Sequence, residues 1–284
     1  MPETPTGVRH FWGAMGRLIV FTDLDATLLD HKTYSYRPAR PALEELRRRR
    51  IPLVFCTSKT RAEILPLREE LGNVHPFVAE NGGAVYLPRN YFPFPLSNAR
   101  TEAEFHVLEL GLDYRKLVRA LDEAAKTSGA TVRGFNQMKD KEVAKLCGFS
   151  LAAAKLARHR EFDEPFLVEK GTPQQKERFF TWLRERGLSW RQGGRFFHLM
   201  GTNDKGAAVT RLLELYRQHY TQVRSVGLGD GLNDVDFLKV VDVPVVVAKP
   251  GGRHHPELLE NLPQARRAAP GPQGWNQAVL EILG

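Results

Sequence analysis

Apolar positions fall along this chain in two alternating rhythms. Leu18–Thr22 is a near-continuous apolar run, as expected of a strand buried on both faces of a parallel sheet. Pro38–Arg50 has helical spacing, with Pro38 near its start and Pro41 in its first turn. Ile51–Thr57 reads as a second buried strand, followed by a helix over Arg61–Leu71. Phe77–Ala79 is a third, short strand that runs into the Asn81-Gly82-Gly83 turn. The same grammar returns towards the C-terminus. A helix over Lys205–Tyr220 leads to a strand at Val223–Leu228, a short helix at Val235–Val240, a strand at Val243–Ala248 and a closing helix at Trp275–Leu283. This alternation predicts an α/β fold with a parallel sheet between two layers of helices.

The stretch from about 88 to 200 has a different pattern. It opens on the Pro- and aromatic-rich loop Tyr91–Arg100, then reads as a strand at Phe105–Leu110, a helix at Tyr114–Ser128 and a strand at Thr131–Gly134. Short helices at Lys139–Cys147 and Leu151–His159, a strand at Pro165–Glu169, a helix at Pro173–Gly187 and two strands around Gly193-Gly194 follow. We therefore expect an α+β insertion, or cap, at 88–200 that splits a core made of 17–87 and 201–284, with an N-terminal extension at 1–16. No internal repeat or low-complexity tract interrupts this plan.

Composition narrows the function. With 42% hydrophobic and 26% charged residues among 284, the chain is that of an ordinary soluble globular protein. No apolar run approaches the ~18 residues of a membrane helix, and the first sixteen residues lack the apolar core of a secretory signal. Translation could also begin at Met15. Two cysteines, Cys56 and Cys147, are too few for a disulfide framework and suit a reducing cytoplasm as small core residues. The net charge of +8, from 41 Lys and Arg against 33 Asp and Glu, favours an anionic partner. The densest basic run, Arg47–Arg50, continues the helical pattern of Ala42, Leu43 and Leu46 and reads as a solvated helix face. Aromatics do not interleave with it as a single-strand platform requires, so nucleic acid is a minor reading.

Four segments carry chemistry. Asp23 and Asp25 follow the first strand, and alternation points both the same way while Leu24 points oppositely. They stand at the carboxyl end of a parallel strand, where open α/β sheets bind ligands. Two adjacent carboxylates repel, and a divalent cation relieves that repulsion; oxygen donors with a phosphate co-ligand suit Mg²⁺. Alone, such a pair is also what a solvated acidic turn looks like. Thr57-Ser58-Lys59-Thr60 ends the second strand, where hydroxyls and backbone N–H groups form either an N-cap or a phosphate cradle. Lys205 opens a helix against the dipole preference, which points to a fixed anionic partner or to a solvated side chain. Gly229-Asp230-Gly231-Leu232-Asn233-Asp234 joins a strand to a helix, with glycines that let the backbone approach a metal or phosphate.

Those segments, in that order, resemble the haloacid dehalogenase superfamily: Asp23–Asp30 its first motif, Thr57-Ser58 its second, the Lys205 helix its third, and Gly229–Asp234 its fourth. The resemblance implies a Rossmann-like core with Asp23 as nucleophile and Asp25 as general acid and then base. It implies phosphate binding by Thr57 and Lys205, and Mg²⁺ on Asp23, the Asp25 backbone carbonyl and Asp230, with Asn233 and Asp234 in support. Ala26 departs from the family, which usually has Gly there.

The insertion resembles the superfamily's C2B-type cap. Cys56–Glu63, Thr131–Phe135, Arg160–Phe166 and Arg195–His198 are similar to mannosyl-3-phosphoglycerate phosphatases. That resemblance implies hydrolysis of mannosyl-3-phosphoglycerate, a small anionic phosphosugar, to mannosylglycerate, with glucosyl-3-phosphoglycerate, sucrose phosphate or trehalose phosphate as rival substrates. Ser58, Lys59, Asn81, Gly82, Arg133, Glu164 and His198 are the substrate-binding candidates: Arg133 and Lys59 for anionic groups, Asn81, Glu164 and His198 for hydroxyls. Each has a plainer reading, Arg133 as a surface cation, Glu164 as a helix-end charge, His198 as a core histidine. A non-catalytic phosphosugar-binding protein is the reading from another class. His10, His31 and His75 are expected at the surface.

Overall fold

The computed structural model describes residues 17–193 and 195–284. The extension expected at 1–16 lies outside the described residues. The larger sheet contains β1 (Arg17–Thr22), β2 (Leu53–Cys56), β3 (Phe77–Ala79), β4 (Ala84–Pro88), β5 (Arg100–Glu102), β6 (Phe105–Glu109), and, after a second sheet, β11 (Val223–Gly229), β12 (Val243–Val247) and β13 (Arg266–Ala268). Their order is β13-β12-β11-β1-β2-β3-β4-β6-β5. The pairings from β13 to β3 are parallel and those from β3 to β5 antiparallel.

Alternation along β1 sends Val20 into one core and Ile19 and Phe21 into the other. The first core is roofed by α1 (Arg40–Arg48), α2 (Arg61–Leu71) and α10 (Gly271–Leu283), with Leu46, Ile64 and Trp275 buried in it. The second is covered by α7 (Lys205–His219), α8 (Val235–Val240) and α9 (Pro256–Asn261), through Leu212, Phe237 and Leu258. The basic run lies largely exposed at the end of α1, and three of its arginines make polar contacts. Arg47 donates to the Leu71 carbonyl at 2.5 Å, Arg48 pairs with Glu45 at 2.6 Å, and Arg49 donates to the Leu283 carbonyl at 2.6 Å.

The second sheet, β7-β8-β10-β9, is antiparallel throughout: β7 (Thr131–Gly134), β8 (Glu164–Lys170), β9 (Ser189–Gly193) and β10 (Phe196–Met200). Helices α3 (Tyr114–Ser128) and α6 (Pro173–Glu185) pack Leu117, Leu121, Phe179 and Leu183 onto Phe166 and Leu199. Helices α4 (Asp140–Cys147) and α5 (Leu151–Ala157) form a smaller core with Phe135 and Phe196.

Strands β4, β5 and β13 and helix α9 fall where the sequence reading placed no element, and two further features differ from it. The strand at Phe105–Leu110, read as part of the insertion, is β6 of the larger sheet. The turn at Asn81–Gly83 reverses the chain into β4, and β6 follows it so that Phe105 can pack edge-on to Phe77 and Tyr86. His75, expected at the surface, is partly buried and bonds the Tyr91 hydroxyl at 2.8 Å; burial first, then Arg17 and Arg68, lower its pKa to about 4. Among the described residues no helix is long and apolar enough to cross a membrane.

Candidate active site

Register alone assembles the rim. Thr22 lies between Leu228 of β11 and Phe55 of β2, so Asp23, Asp230 and Thr57 emerge side by side where three parallel strands end. The turn is pinned from below. Trp275 Nε1 donates to the Thr22 hydroxyl at 2.9 Å, and that hydroxyl donates to the Asp23 carbonyl at 2.7 Å. Carboxylate oxygens of Asp23, Asp230 and Asp234, all buried, lie within 4.8 Å of one another. Lys205, the first residue of α7 and itself fully buried, reaches Asp23 Oδ1 at 2.8 Å and Asp234 Oδ1 at 2.6 Å. Asp234 Oδ2 accepts the N–H groups of Asp230 and Gly231 at 3.0 and 2.9 Å, which closes the glycine turn.

The charges do not balance. Burial, then the Asp234 charge, raises the Asp23 pKa against the pull of Lys205, and burial and Asp234 raise that of Asp230 against Lys249. Three buried acids face two ammonium groups, and the donors left over are all oxygen. That excess of hard, negative oxygen fits Mg²⁺, with Asp23 and Asp230 the carboxylates it would draw on: both oxygens of Asp234 are committed to Lys205 and the turn, whereas Asp230 is held by a half-exposed ammonium and a hydroxyl.

Asp25 lies outside this cluster. Its carboxylate, 44% exposed, pairs with Lys59 Nζ at 3.0 Å, and Lys59 is also 3.7 Å from Glu63. Ala26 beside it has φ 60°, the left-handed region where Gly is at home, so the departure from the family pattern carries backbone strain. Thr57 is buried and its hydroxyl accepts the Lys59 N–H at 3.2 Å, while the Ser58 carbonyl accepts Arg160 at 2.9 Å.

Several candidates from the sequence are engaged by other residues of the chain. The Asn81 carboxamide, read as a sugar ligand, donates to Asp163 Oδ2 at 3.0 Å and accepts from Asn233 at 3.3 Å. Asn233 is thereby engaged with Asn81 too. His198 Nδ1 faces Asp163 at 3.0 Å, so a cap strand, the fully buried Asp163 and the core turn meet in one chain of polar contacts. Burial opposes ionisation of Asp163, but His198 and Arg160 prevail and hold its pKa below the ordinary value. Arg133 is taken by Glu142 and Glu169, both at 2.8 Å. Glu164 is fully buried; its Oε1 accepts the Asn136 N–H at 3.0 Å, and burial lifts its pKa to about 7.

Gly82 is a packing residue of the site. At φ +88°, a Cβ there would lie 2.0 Å from the Asp204 carbonyl oxygen and 2.9 Å from the Lys205 nitrogen. Its bareness lets the start of α7 approach the turn. Gly82→Ala is expected to lower stability by at least about 3 kcal/mol and, by displacing Lys205, to cut turnover about 100-fold or more. Urea unfolding and steady-state kinetics check both.

Sequence reasoning missed Lys249, 2.6 Å from Asp230 Oδ2, and Thr27, whose hydroxyl donates to Asp230 Oδ1 at 3.2 Å. A signal existed for Lys249: it follows a strand that neighbours the one bearing Asp230. Glu80 was missed as well. Fully buried, it accepts the N–H groups of Glu161 and Phe162 at 2.8–3.1 Å, tying the returning cap segment to the core. Burial raises its pKa to about 8 although Arg160 opposes. An unfolded glutamate releases its proton near 4.5. Between those values the folded state holds the extra proton, so this group's contribution to stability declines as pH rises from 4.5 to 8. Unfolding midpoints measured across that window should fall less steeply in Glu80→Gln than in the parent protein.

A groove of about 510 Å³ lies elsewhere, on the residue 87–106 segment, and is lined by no carboxylate, ammonium or guanidinium group. It does not carry the chemistry.

Residues 20–106 match the family model of haloacid dehalogenase-like hydrolases. A glucosyl-3-phosphoglycerate/mannosyl-3-phosphoglycerate phosphatase from Methanococcoides burtonii is 42% identical over 94% of this chain and 97% of its own. A mannosyl-3-phosphoglycerate phosphatase from Pyrococcus furiosus is 36% identical over 86% of this chain and 95% of its own. Among solved structures, a phosphatase of the haloalkanoate enzyme superfamily from Bacteroides thetaiotaomicron superposes with a TM-score of 0.68 at 16% identity, covering 98% of this chain and 99% of that one. At that identity the likeness speaks for the fold.

Proposed function

Because the chain belongs to the glucosyl-3-phosphoglycerate/mannosyl-3-phosphoglycerate phosphatases among the haloacid dehalogenase-like hydrolases, we propose that it hydrolyses mannosyl-3-phosphoglycerate to mannosylglycerate and phosphate through a phosphoryl group carried on Asp23. Glucosyl-3-phosphoglycerate is the second substrate in this reading. The observation that carries it is the buried rim cluster, Asp23 and Asp230 within 4.8 Å and Lys205 2.8 Å from Asp23.

Asp23 supplies the nucleophilic oxygen at the end of a rigid strand, and its attack on phosphorus forms an acyl phosphate as the ester oxygen departs. Asp25, on the exposed side, gives that oxygen a proton and later takes one from the water that releases phosphate. The Thr57 hydroxyl and the Lys205 ammonium hold the phosphoryl oxygens. Asp23, Asp230 and the Asp25 backbone carbonyl would hold Mg²⁺, which supplies charge neutralisation to the transferring group. Lys59, beside Asp25, takes the substrate's carboxylate in this reading. The second sheet and its helices act as the cap over a core of 17–87 and 201–284 to which β5 and β6 are added. Cys56 and Cys147 are both free thiols, in keeping with a cytoplasmic enzyme.

Phosphate release with Mg²⁺ from a panel of both glycosyl-3-phosphoglycerates, sucrose phosphate, trehalose phosphate and simple hexose phosphates tests the reading. The two phosphoglycerates should lead in kcat/KM by at least about 100-fold, the discrimination that paired polar contacts give. Comparable turnover of hexose phosphates would defeat the narrow assignment. Binding without any turnover would favour a non-catalytic phosphosugar receptor.

A further inference from the structure

We propose that Lys249 is a built-in stand-in for the metal: its ammonium holds Asp230 while the cation is absent and must leave when the cation binds, so that this one side chain sets the affinity for Mg²⁺. The inference rests on the active-site reading above.

The two ammonium groups of the cluster are held very differently. Lys205 has a fully buried side chain between Asp23 and Asp234. Lys249 has a side chain 42% exposed, and it touches Asp230 Oδ2 at 2.6 Å from the solvent side. Its backbone is fixed: the N–H donates to the Arg253 carbonyl at 2.8 Å, and the carbonyl accepts the Gly252 N–H at 2.9 Å. A pinned backbone with a half-exposed side chain held by one carboxylate oxygen is the arrangement for an ammonium that can swing away and return. The other oxygen of Asp230 already takes the Thr27 hydroxyl at 3.2 Å. A cation on Asp230 therefore finds Oδ2 occupied and a like charge beside it. Both effects, competition for the oxygen and repulsion between cations, weaken metal binding. In return, the metal-free cluster of three acids keeps a second counter-charge.

The experiment is Mg²⁺ titration by calorimetry on the full chain, wild type, Lys249→Met and Lys249→Arg, with thermal unfolding in EDTA and in saturating Mg²⁺. Lys249→Met should bind Mg²⁺ about three- to fivefold more tightly, the scale of a half-exposed ion pair. It should also unfold at a lower temperature in EDTA, with the difference closing in saturating Mg²⁺. Lys249→Arg should stay near wild type. Unchanged or weaker Mg²⁺ binding in Lys249→Met overturns the proposal. So does weaker binding of inorganic phosphate at an unchanged Mg²⁺ affinity, which would make Lys249 a phosphate ligand. A folded wild type that takes up no Mg²⁺ brings down the active-site reading itself and this inference with it.

Discussion

Asp23→Asn should abolish phosphatase turnover, with kcat falling on the order of 10⁴-fold or more, while the protein stays folded. The substitution is nearly isosteric and its amide oxygen can still accept from Lys205, which lies 2.8 Å from Oδ1. The backbone contacts of the position, the N–H to the Leu228 carbonyl at 2.9 Å and the carbonyl from Thr22, do not involve the side chain and persist. The nucleophilic oxygen is lost together with one negative charge that would face Mg²⁺ and Lys205, and loss of a covalent nucleophile cannot be made good by the groups that remain. Removing one of three mutually repelling acids also relieves some strain, so the unfolding temperature should move little. Acid-quenched wild-type enzyme should retain phosphate on the peptide containing Asp23, and the variant should retain none. Substantial turnover by Asp23→Asn would mean that another group attacks phosphorus.

The parts of the molecule that sequence discloses are those set by neighbours along the chain. Asp23 and Asp25 follow an apolar strand, Lys205 opens a helix, and Asp230 and Asp234 sit four residues apart across a strand-to-helix turn. Strand register then does the rest, because β1, β2 and β11 end at one level. What sequence does not disclose depends on partners far away in the chain. Asn81 reads as a free polar residue at a turn until Asp163 and Asn233 take up its carboxamide. Arg133 reads as a cation waiting for an anion until β8 brings Glu169 across from it. Glu80 sits in a polar turn along the chain, yet it is buried, accepting two backbone N–H groups of the distant cap segment. Phe105–Leu110 has the alternation of a strand, and nothing in that alternation tells which sheet it joins.

Lys205→Met should be among the most destabilising single changes at the site and should also disable it. The lysine side chain is wholly enclosed, with its ammonium 5.8 Å from the Phe237 ring centroid. Burial alone would drive the ammonium towards neutrality, but Asp23 and Asp234 overcome it and raise its pKa above the ordinary lysine value. Methionine fills most of the stem's volume and leaves two buried carboxylates without their shared counter-charge. Removing one partner of a buried pair typically costs 3–5 kcal/mol, and about that loss is expected here in metal-free protein. Mg²⁺ should restore part of it, since a cation bound to the native state alone stabilises that state by mass action. Turnover should fall about 10³-fold even with Mg²⁺ present, because a fixed positive charge facing the phosphoryl oxygens is gone. Urea unfolding in EDTA and in Mg²⁺ gives the stability terms. The double variant Lys205→Met, Asp234→Asn then separates charge from shape: with one orphaned carboxylate neutralised, and an amide oxygen still able to accept the Asp230 and Gly231 N–H groups, much of the stability should return while activity does not. If the single variant unfolds at the wild-type urea concentration without metal, Lys205 does not balance these acids.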